Sequence, residues 1–161
     1  MNLKLEWVVK GFADLSNEEL YQLLRLRSEI FVVEQSCNFL DMDNKDQKCL
    51  HLLGSENGQL LAYARIVPVG VSYEFPSIGR IVVSEKGRGR GLGIELLNVS
   101  IAKLTELYGE VTIRIGAQLY LKRFYETFNF IQSSDIYLED EIEHIEMTRA
   151  GMAISKPNLI L

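Results

Sequence analysis

Ile81-Val82-Val83-Ser84-Glu85-Lys86-Gly87-Arg88-Gly89-Arg90-Gly91-Leu92-Gly93-Ile94 is the stretch that decides how this chain folds. Its β-branched start predicts a strand over Ile78–Ser84. Beyond the loop, Leu96, Leu97, Ile101, Leu104 and Tyr108 recur at helical spacing, and Gly109 stands where a helix ends in a left-handed residue. A glycine-rich loop between strand and helix lets main-chain N–H groups approach a ligand, and the helix start leaves several of them unpaired. The helix dipole adds partial positive charge, and Lys86, Arg88 and Arg90 add whole charges. Together these describe an anion site suited to a pyrophosphate. The plain alternative is a basic surface loop, and the position between a strand and an amphipathic helix argues against it.

Spacing narrows the ligand. A P-loop needs a Lys-Ser/Thr pair after its last glycine, and none follows here. A dinucleotide fingerprint, G-x-G-x-x-G, fails in every register, because its last glycine falls on Leu92, Ile94 or Leu96. The spacing that does occur is Arg88-x-x-Gly91-x-Gly93.

Working outward, Leu3 to Phe12 alternates and carries Trp7, Val8 and Val9, which predicts a first strand. Ser16 can cap a helix, Glu19 can reach back to it, and Leu15 can staple onto Leu20. Leu20, Leu23, Leu24 and Arg27 continue that helix. The apolar run Ile30–Gln35 fits neither period and leads into an acidic loop with Asp41, Asp43 and Asp46. Strands follow at Cys49–Gly54 and Leu60–Val67, joined through the hairpin signal Asn57-Gly58. After the central helix, Val111, Ile113 and Ile115 alternate as a strand, and Leu121, Phe124, Tyr125 and Phe128 return to helical spacing. One or two more strands are expected over Phe130–Leu138 and His144–Thr148. The order β-α-β-β-β-α-β-α-β-β predicts an α/β (α+β) domain, a mixed central sheet with helices on both faces.

Composition agrees. The chain's 161 residues suit one domain over 1–161, and 47% hydrophobic residues with 3 prolines exclude a disordered or fibrous chain. A net charge of −5 argues against a general nucleic-acid binder. No apolar run approaches a membrane span of roughly 18 residues. The start lacks the apolar core of a signal peptide, so a cytoplasmic location is expected. No metal is expected: Lys45 occupies the ligand position after Asp41 and Asp43, and Cys37 and Cys49 lack zinc spacing.

The arginine-glycine loop resembles the coenzyme-A motif of the GNAT superfamily of N-acetyltransferases, written Q/R-x-x-G-x-G/A. A second stretch, Ala117–Phe130 (AQLYLKRFYETFNF), is similar to the family segment N-x-x-A-x-x-x-Y-E-x-x-G-F. Tyr125-Glu126 and Phe130 align directly, while Gln118, Leu121 and Asn129 replace the usual Asn, Ala and Gly. Phe31-Val32-Val33-Glu34-Gln35-Ser36-Cys37, Ala62-Tyr63-Ala64-Arg65 and Gly79-Arg80-Ile81-Val82-Val83 resemble the ElaA-like branch, and the resemblance covers about 7–149. It implies the GNAT fold and acetyl transfer from acetyl-CoA to a small-molecule or peptide amine by direct attack on the thioester. It places the pyrophosphate on Arg88, Gly89, Arg90, Gly91, Leu92, Gly93 and Ile94, and the pantetheine arm along the backbone of Ile81, Val82 and Val83. Gln118 would touch the coenzyme, and Tyr125 would be the general acid.

Tyr125 suits that role chemically, since a phenol (pKa about 10) stays protonated until a thiolate (about 8.5) forms. A core aromatic is the plain alternative. An alkylamine of pKa about 10 must lose a proton before attack, and Glu34 and His51 are the candidate bases. Glu34 follows an apolar run and so could be half-buried, or else ion-paired to Arg65 or Arg80; His51 could equally be structural. The carboxylates of 41–46 and of Asp135–Glu146 could draw a cationic amine, or merely solvate one face. Two further readings stay open: a non-catalytic acyl-CoA sensor of the same fold, and a homodimer formed through C-terminal edge strands.

Overall fold

Ser16 caps the first helix as expected. Its Oγ accepts from the Glu19 N–H at 3.1 Å, and Glu19 Oε2 accepts from the Ser16 N–H at 2.8 Å. The computed structural model describes residues 4–151, so Leu3 and the chain beyond Gly151 lie outside the described residues. Helix α1 (Asn17–Arg27) runs straight into a π-helical segment, Ser28–Glu34. There Gln35 N–H donates to Ile30 O at 3.2 Å and Cys37 N–H to Val32 O at 3.0 Å. Five-residue bonding matches neither the 3.6 nor the 2.0 period, which is why Ile30–Gln35 reads ambiguously in the sequence.

Strands β1 (Glu6–Gly11), β2 (Leu50–Glu56), β3 (Gln59–Val67) and β4 (Ser77–Val83) form an antiparallel sheet in that order. The Asn57-Gly58 hairpin is present, with φ of 50° and 76°. Strand β3 is buried from Leu60 to Val67 because helices cover both faces. Leu53 and Tyr63 pack with Leu23 and Leu26 of α1. Leu52, Ala62 and Ala64 point the other way, to Leu96, Leu97 and Leu104 of α2 (Leu92–Tyr108).

Strand β4 changes face partway. Tyr63 pairs with Val82 and Arg65 with Gly79, so β4 holds one residue more than β3 between these pairs. This bulge reverses the alternation: Ile78 joins the α2-side core and Val82 the α1-side core, although both are even-numbered. Arg80 within it adopts φ 50°.

The second sheet is built on β8 (Ile142–Arg149), which pairs antiparallel with β5 (Ile113–Gln118), β6 (Ile131–Gln132) and β7 (Tyr137–Glu139). The expected strand over Phe130–Leu138 is thus two short strands. Ser134 Oγ takes the Glu146 N–H at 2.8 Å, replacing a ladder bond and turning the chain between them. Helix α3 (Lys122–Glu126) is shorter than expected and is followed by Asn129 at φ 67°, a left-handed position where Asn replaces Gly. The sheets are linked at the start of β5, where Arg114 N–H donates to Pro76 O at 3.2 Å. No ladder joins β4 to β5 beyond it among the described residues. A cleft opens there.

Candidate active site: the cleft between the two sheets

The cleft encloses about 570 Å³. Ile81, Val82 and Val83 of β4 line it together with Gly116 and Gln118 of β5 and Tyr125 of α3. The β4 bulge faces this space, and a bulge leaves main-chain groups of the extra residue outside the ladder. Gln118 Nε2 donates to Gln35 Oε1 at 3.1 Å, tying β5 to the end of the π-helical segment.

Tyr125 is buried against Phe124 and Phe130. Burial pushes its phenol well above the usual value, and the nearby Tyr120 adds to the shift. Its hydroxyl makes no hydrogen bond to a described residue, and the residue lines the cleft.

The glycine loop lies beyond the end of β4. From Gly89 through Ile94 no backbone N–H has an acceptor among the described residues; the first helical bond is Glu95 N–H to Gly91 O at 3.2 Å. Gly89 and Gly91 adopt φ of 72° and 74°, and a Cβ at either would meet nothing within 4 Å. The loop therefore presents an open row of donors at the start of α2, which fits an anionic diphosphate. Arg88 is paired with Glu34 at 2.6 Å and Arg90 with Glu56 at 2.7 Å, both at the surface. Surface pairs of this kind are weak enough to be exchanged for phosphate oxygens.

At the other end of the cleft the lining is acidic and aromatic. Tyr73, Tyr137, Glu139, Asp140 and His144 gather there; all but Tyr137 border the cavity. The Tyr73 and Tyr137 hydroxyls close over Gly116, where a Cβ would stand 3.1 and 3.4 Å from them. Burial pushes Tyr73 up to about 12, with Tyr137, Glu146 and Glu139 adding to it. The turn Asp140-Glu141 between β7 and β8 holds two non-glycine residues at φ 48° and 66°, and Cys37 Sγ donates to the Asp140 carbonyl at 3.4 Å.

A family model described as Acetyltransferase (GNAT) domain matches residues 13–150. The chain belongs to the GNAT acetyltransferase family. ElaA of Escherichia coli is 40% identical over 147 residues, 90% of this chain and 96% of ElaA. The ElaA crystal structure matches with a TM-score of 0.84, over 90% of this chain and 99% of that one. An acyl-CoA N-acyltransferase from Pseudomonas aeruginosa, 39% identical, matches with a TM-score of 0.87 over 91% and 99% of the two chains. A GNAT family acetyltransferase from Elizabethkingia anophelis, solved with acetyl-CoA bound, shares the fold at 16% identity and a TM-score of 0.62, over 91% and 98%.

Within this GNAT domain several residues stand apart from where the sequence suggested. His51 is a fully buried residue of β2: its Nδ1 meets the Tyr63 hydroxyl at 2.7 Å and its Nε2 the Asp46 carbonyl at 2.9 Å. Burial holds it below the ordinary imidazole value. It does not border the cleft, so it cannot receive a proton from an acceptor there. Glu34 lies at the surface, its side chain bound to Arg88 rather than to Arg65 or Arg80.

The acidic loop is not an amine trap either. Asp41, Asp43 and Asp46 are bound by Arg27, Arg65 and Arg80 at 2.7–2.9 Å. Burial alone would raise the Asp43 carboxyl; Arg65 and Arg80 outweigh it and hold it well below the usual range. This network, His144 and the tyrosine pair escaped the sequence reading. The arginines had a signal: Arg27 and Arg65 interrupt apolar segments, as in Leu26-Arg27 and Ala64-Arg65-Ile66, and a charge there needs a partner.

Among the described residues no helix is long and apolar enough to cross a membrane. Cys37 and Cys49 are buried free thiols.

Proposed function

We propose that the protein transfers an acetyl group from acetyl-CoA to the primary amine of a small molecule or peptide. The observation that carries this reading is the row of unpaired N–H groups from Gly89 through Ile94, in the loop that follows β4, whose Ile81, Val82 and Val83 line the cleft. Those amides, with Arg88 and Arg90, would hold the diphosphate of the coenzyme. The backbone of Ile81, Val82 and Val83 would flank the pantetheine arm, and an N–H of the bulge would polarise the thioester carbonyl. Gln118 would border the arm from β5.

Tyr125 serves as general acid. A phenol whose pKa is raised by burial keeps its proton until the leaving sulfur needs it. The acidic end of the cleft, at Glu139 and Asp140, attracts a cationic amine, so donor and acceptor enter sites of opposite charge.

The test is direct. Saturating CoA or acetyl-CoA, at about 100 times Kd, should add about 2.7 kcal/mol, raising Tm by roughly 5–10 °C. ATP and NAD should leave Tm unchanged. Gly91→Val, which puts a branched side chain at φ 74°, should remove the shift. Thiol release from acetyl-CoA across a panel of amines then separates an enzyme from a sensor, which would bind without turnover. A chain stabilised by ATP rather than CoA would overturn the proposal.

A further inference from the structure

We propose that His144 is the residue that takes the proton from the attacking amine. This rests on the acetyl-transfer reading above and names the base that neither Glu34 nor His51 can supply.

His144 sits on β8 opposite Gln118 of β5 and Tyr137 of β7, and it borders the cleft that also receives the Tyr125 side chain. Its ring is stacked on Tyr137 at 5.9 Å, which fixes the plane of the imidazole. The hydrogen bonding then fixes the tautomer. Nδ1 lies 2.8 Å from the Ile142 carbonyl oxygen, and a carbonyl only accepts. In the neutral ring the proton is therefore on Nδ1, and the basic lone pair is on Nε2. Nε2 makes no hydrogen bond to a described residue; the Glu139 carboxylate stands 3.6 Å away, beyond hydrogen-bond reach.

Two acceptors this close suit a cationic donor seated to one side of them, within hydrogen-bond reach of both. A primary ammonium can donate one N–H to Glu139 and another to His144 Nε2. Passing the second proton to Nε2 leaves a neutral amine, and the imidazolium formed faces the Glu139 carboxylate. The nitrogen then attacks the thioester carbon: a C–N bond forms, the C–S bond breaks, and Tyr125 gives its proton to the sulfur. The nitrogen's remaining extra proton replaces the one Tyr125 gave, and the imidazolium returns its proton to water past the exposed Glu139.

His51 provides an internal contrast. Its Nε2 meets a carbonyl, that of Asp46, so its neutral form carries the proton on Nε2 and accepts from Tyr63 at Nδ1. The chain has 2 histidines, and they should be opposite tautomers.

Two measurements test the proposal. Long-range proton–nitrogen correlation spectra of the labelled protein under mildly alkaline conditions should show one Nδ1–H and one Nε2–H ring. His144→Gln should remove the Nδ1–H ring, and finding that it removes an Nε2–H ring overturns the assignment. In thiol-release assays with acetyl-CoA, His144→Gln should lower kcat toward benzylamine, a cation at neutral pH, about 100-fold or more, with the KM for acetyl-CoA unchanged. Toward 2,2,2-trifluoroethylamine, a weak base already neutral at that pH and needing no base, it should keep a rate near wild type. Equal losses on both amines, or none on benzylamine, refute the role. A wild-type protein that turns over neither amine refutes the acetyl-transfer reading instead, and the tautomer result still stands or falls alone.

Discussion

Replacing Arg27 by Met tests how the cleft is held in shape. The Arg27 side chain is fully buried and donates to Asp41 Oδ2 at 2.7 Å and to Asp46 Oδ1 at 2.8 Å. Asp41 also binds Arg80, accepting at its carboxylate at 2.7 Å and at its carbonyl at 2.9 Å. Arg27 therefore anchors the loop that anchors the β4 bulge. Met fills similar space, but it leaves two carboxylates in the interior short of a partner. Removing one side of a buried pair costs about 3–5 kcal/mol. At about 2–4 °C per kcal/mol for a domain of this size, Tm should fall by roughly 6–20 °C. Arg25→Met is the control: it lies on the same helix, but its pair with Glu29 is 3.5 Å long and exposed, so Tm should hardly move.

The penalty also has a pH sign. Burial alone would raise the Asp46 carboxyl, but hydrogen bonds from Arg27 and Arg65 outweigh it and hold the folded pKa below the ordinary value. Such a group contributes stability above its unfolded pKa of about 3.9, and loses it as pH falls through the folded one. The gap between R27M and wild type should be full near neutrality and narrow below about pH 4. Denaturant titrations of R27M, R25M and wild type across that range read it directly. Equal stability of R27M and R25M, or a gap that ignores pH, refutes the reasoning.

Tyr125→Phe should lower kcat by about 10²–10⁴-fold while leaving CoA affinity and Tm near wild type, because the hydroxyl has no hydrogen bond to a described residue to lose. Thiol-release kinetics beside a thermal melt check both, and an unchanged kcat removes Tyr125 as the acid. The turn at Asp140-Glu141 holds two non-glycine residues at positive φ, so the paired substitution Asp140→Asn and Glu141→Gly, which supplies the favoured Asn-Gly turn sequence, should stabilise the fold by about 1 kcal/mol or more. A urea titration showing no gain would mean that the turn relaxes in solution.

The fold was legible where one local rule acts alone. The capping box at Ser16, the hairpin at Asn57-Gly58, the stripe of α2 and its closing Gly109 all follow from propensity and period, and all are present. Legibility stopped where tertiary structure sets the backbone. The π-helical segment has no sequence period of its own, and the β4 bulge reverses an alternation at Arg80, an arginine at a positive φ that ordinarily calls for glycine. The break between β6 and β7 depends on a serine hydroxyl whose partner, Glu146, is 12 residues away.

Of the elements singled out in the sequence, β4, Gln118 and Tyr125 line one cleft, while the glycine loop follows directly from the end of β4. Charge was harder, because a sequence sums charges that a fold pairs. Asp41, Asp43 and Asp46 look like an acidic patch along the chain, yet Arg27, Arg65 and Arg80, which lie 14 to 39 residues away, cancel them. In the cleft, Glu139 and Asp140, with Glu146 close by, lie on and beside the hairpin that also carries His144, and Lys45 lines the same cavity. On the proposed reading, an amine drawn to these carboxylates would arrive beside an imidazole whose Nε2 has no hydrogen bond to a described residue, so attraction and deprotonation would share one hairpin. The arginine network, by contrast, acts at one remove, holding open the strand against which the thioester would lie.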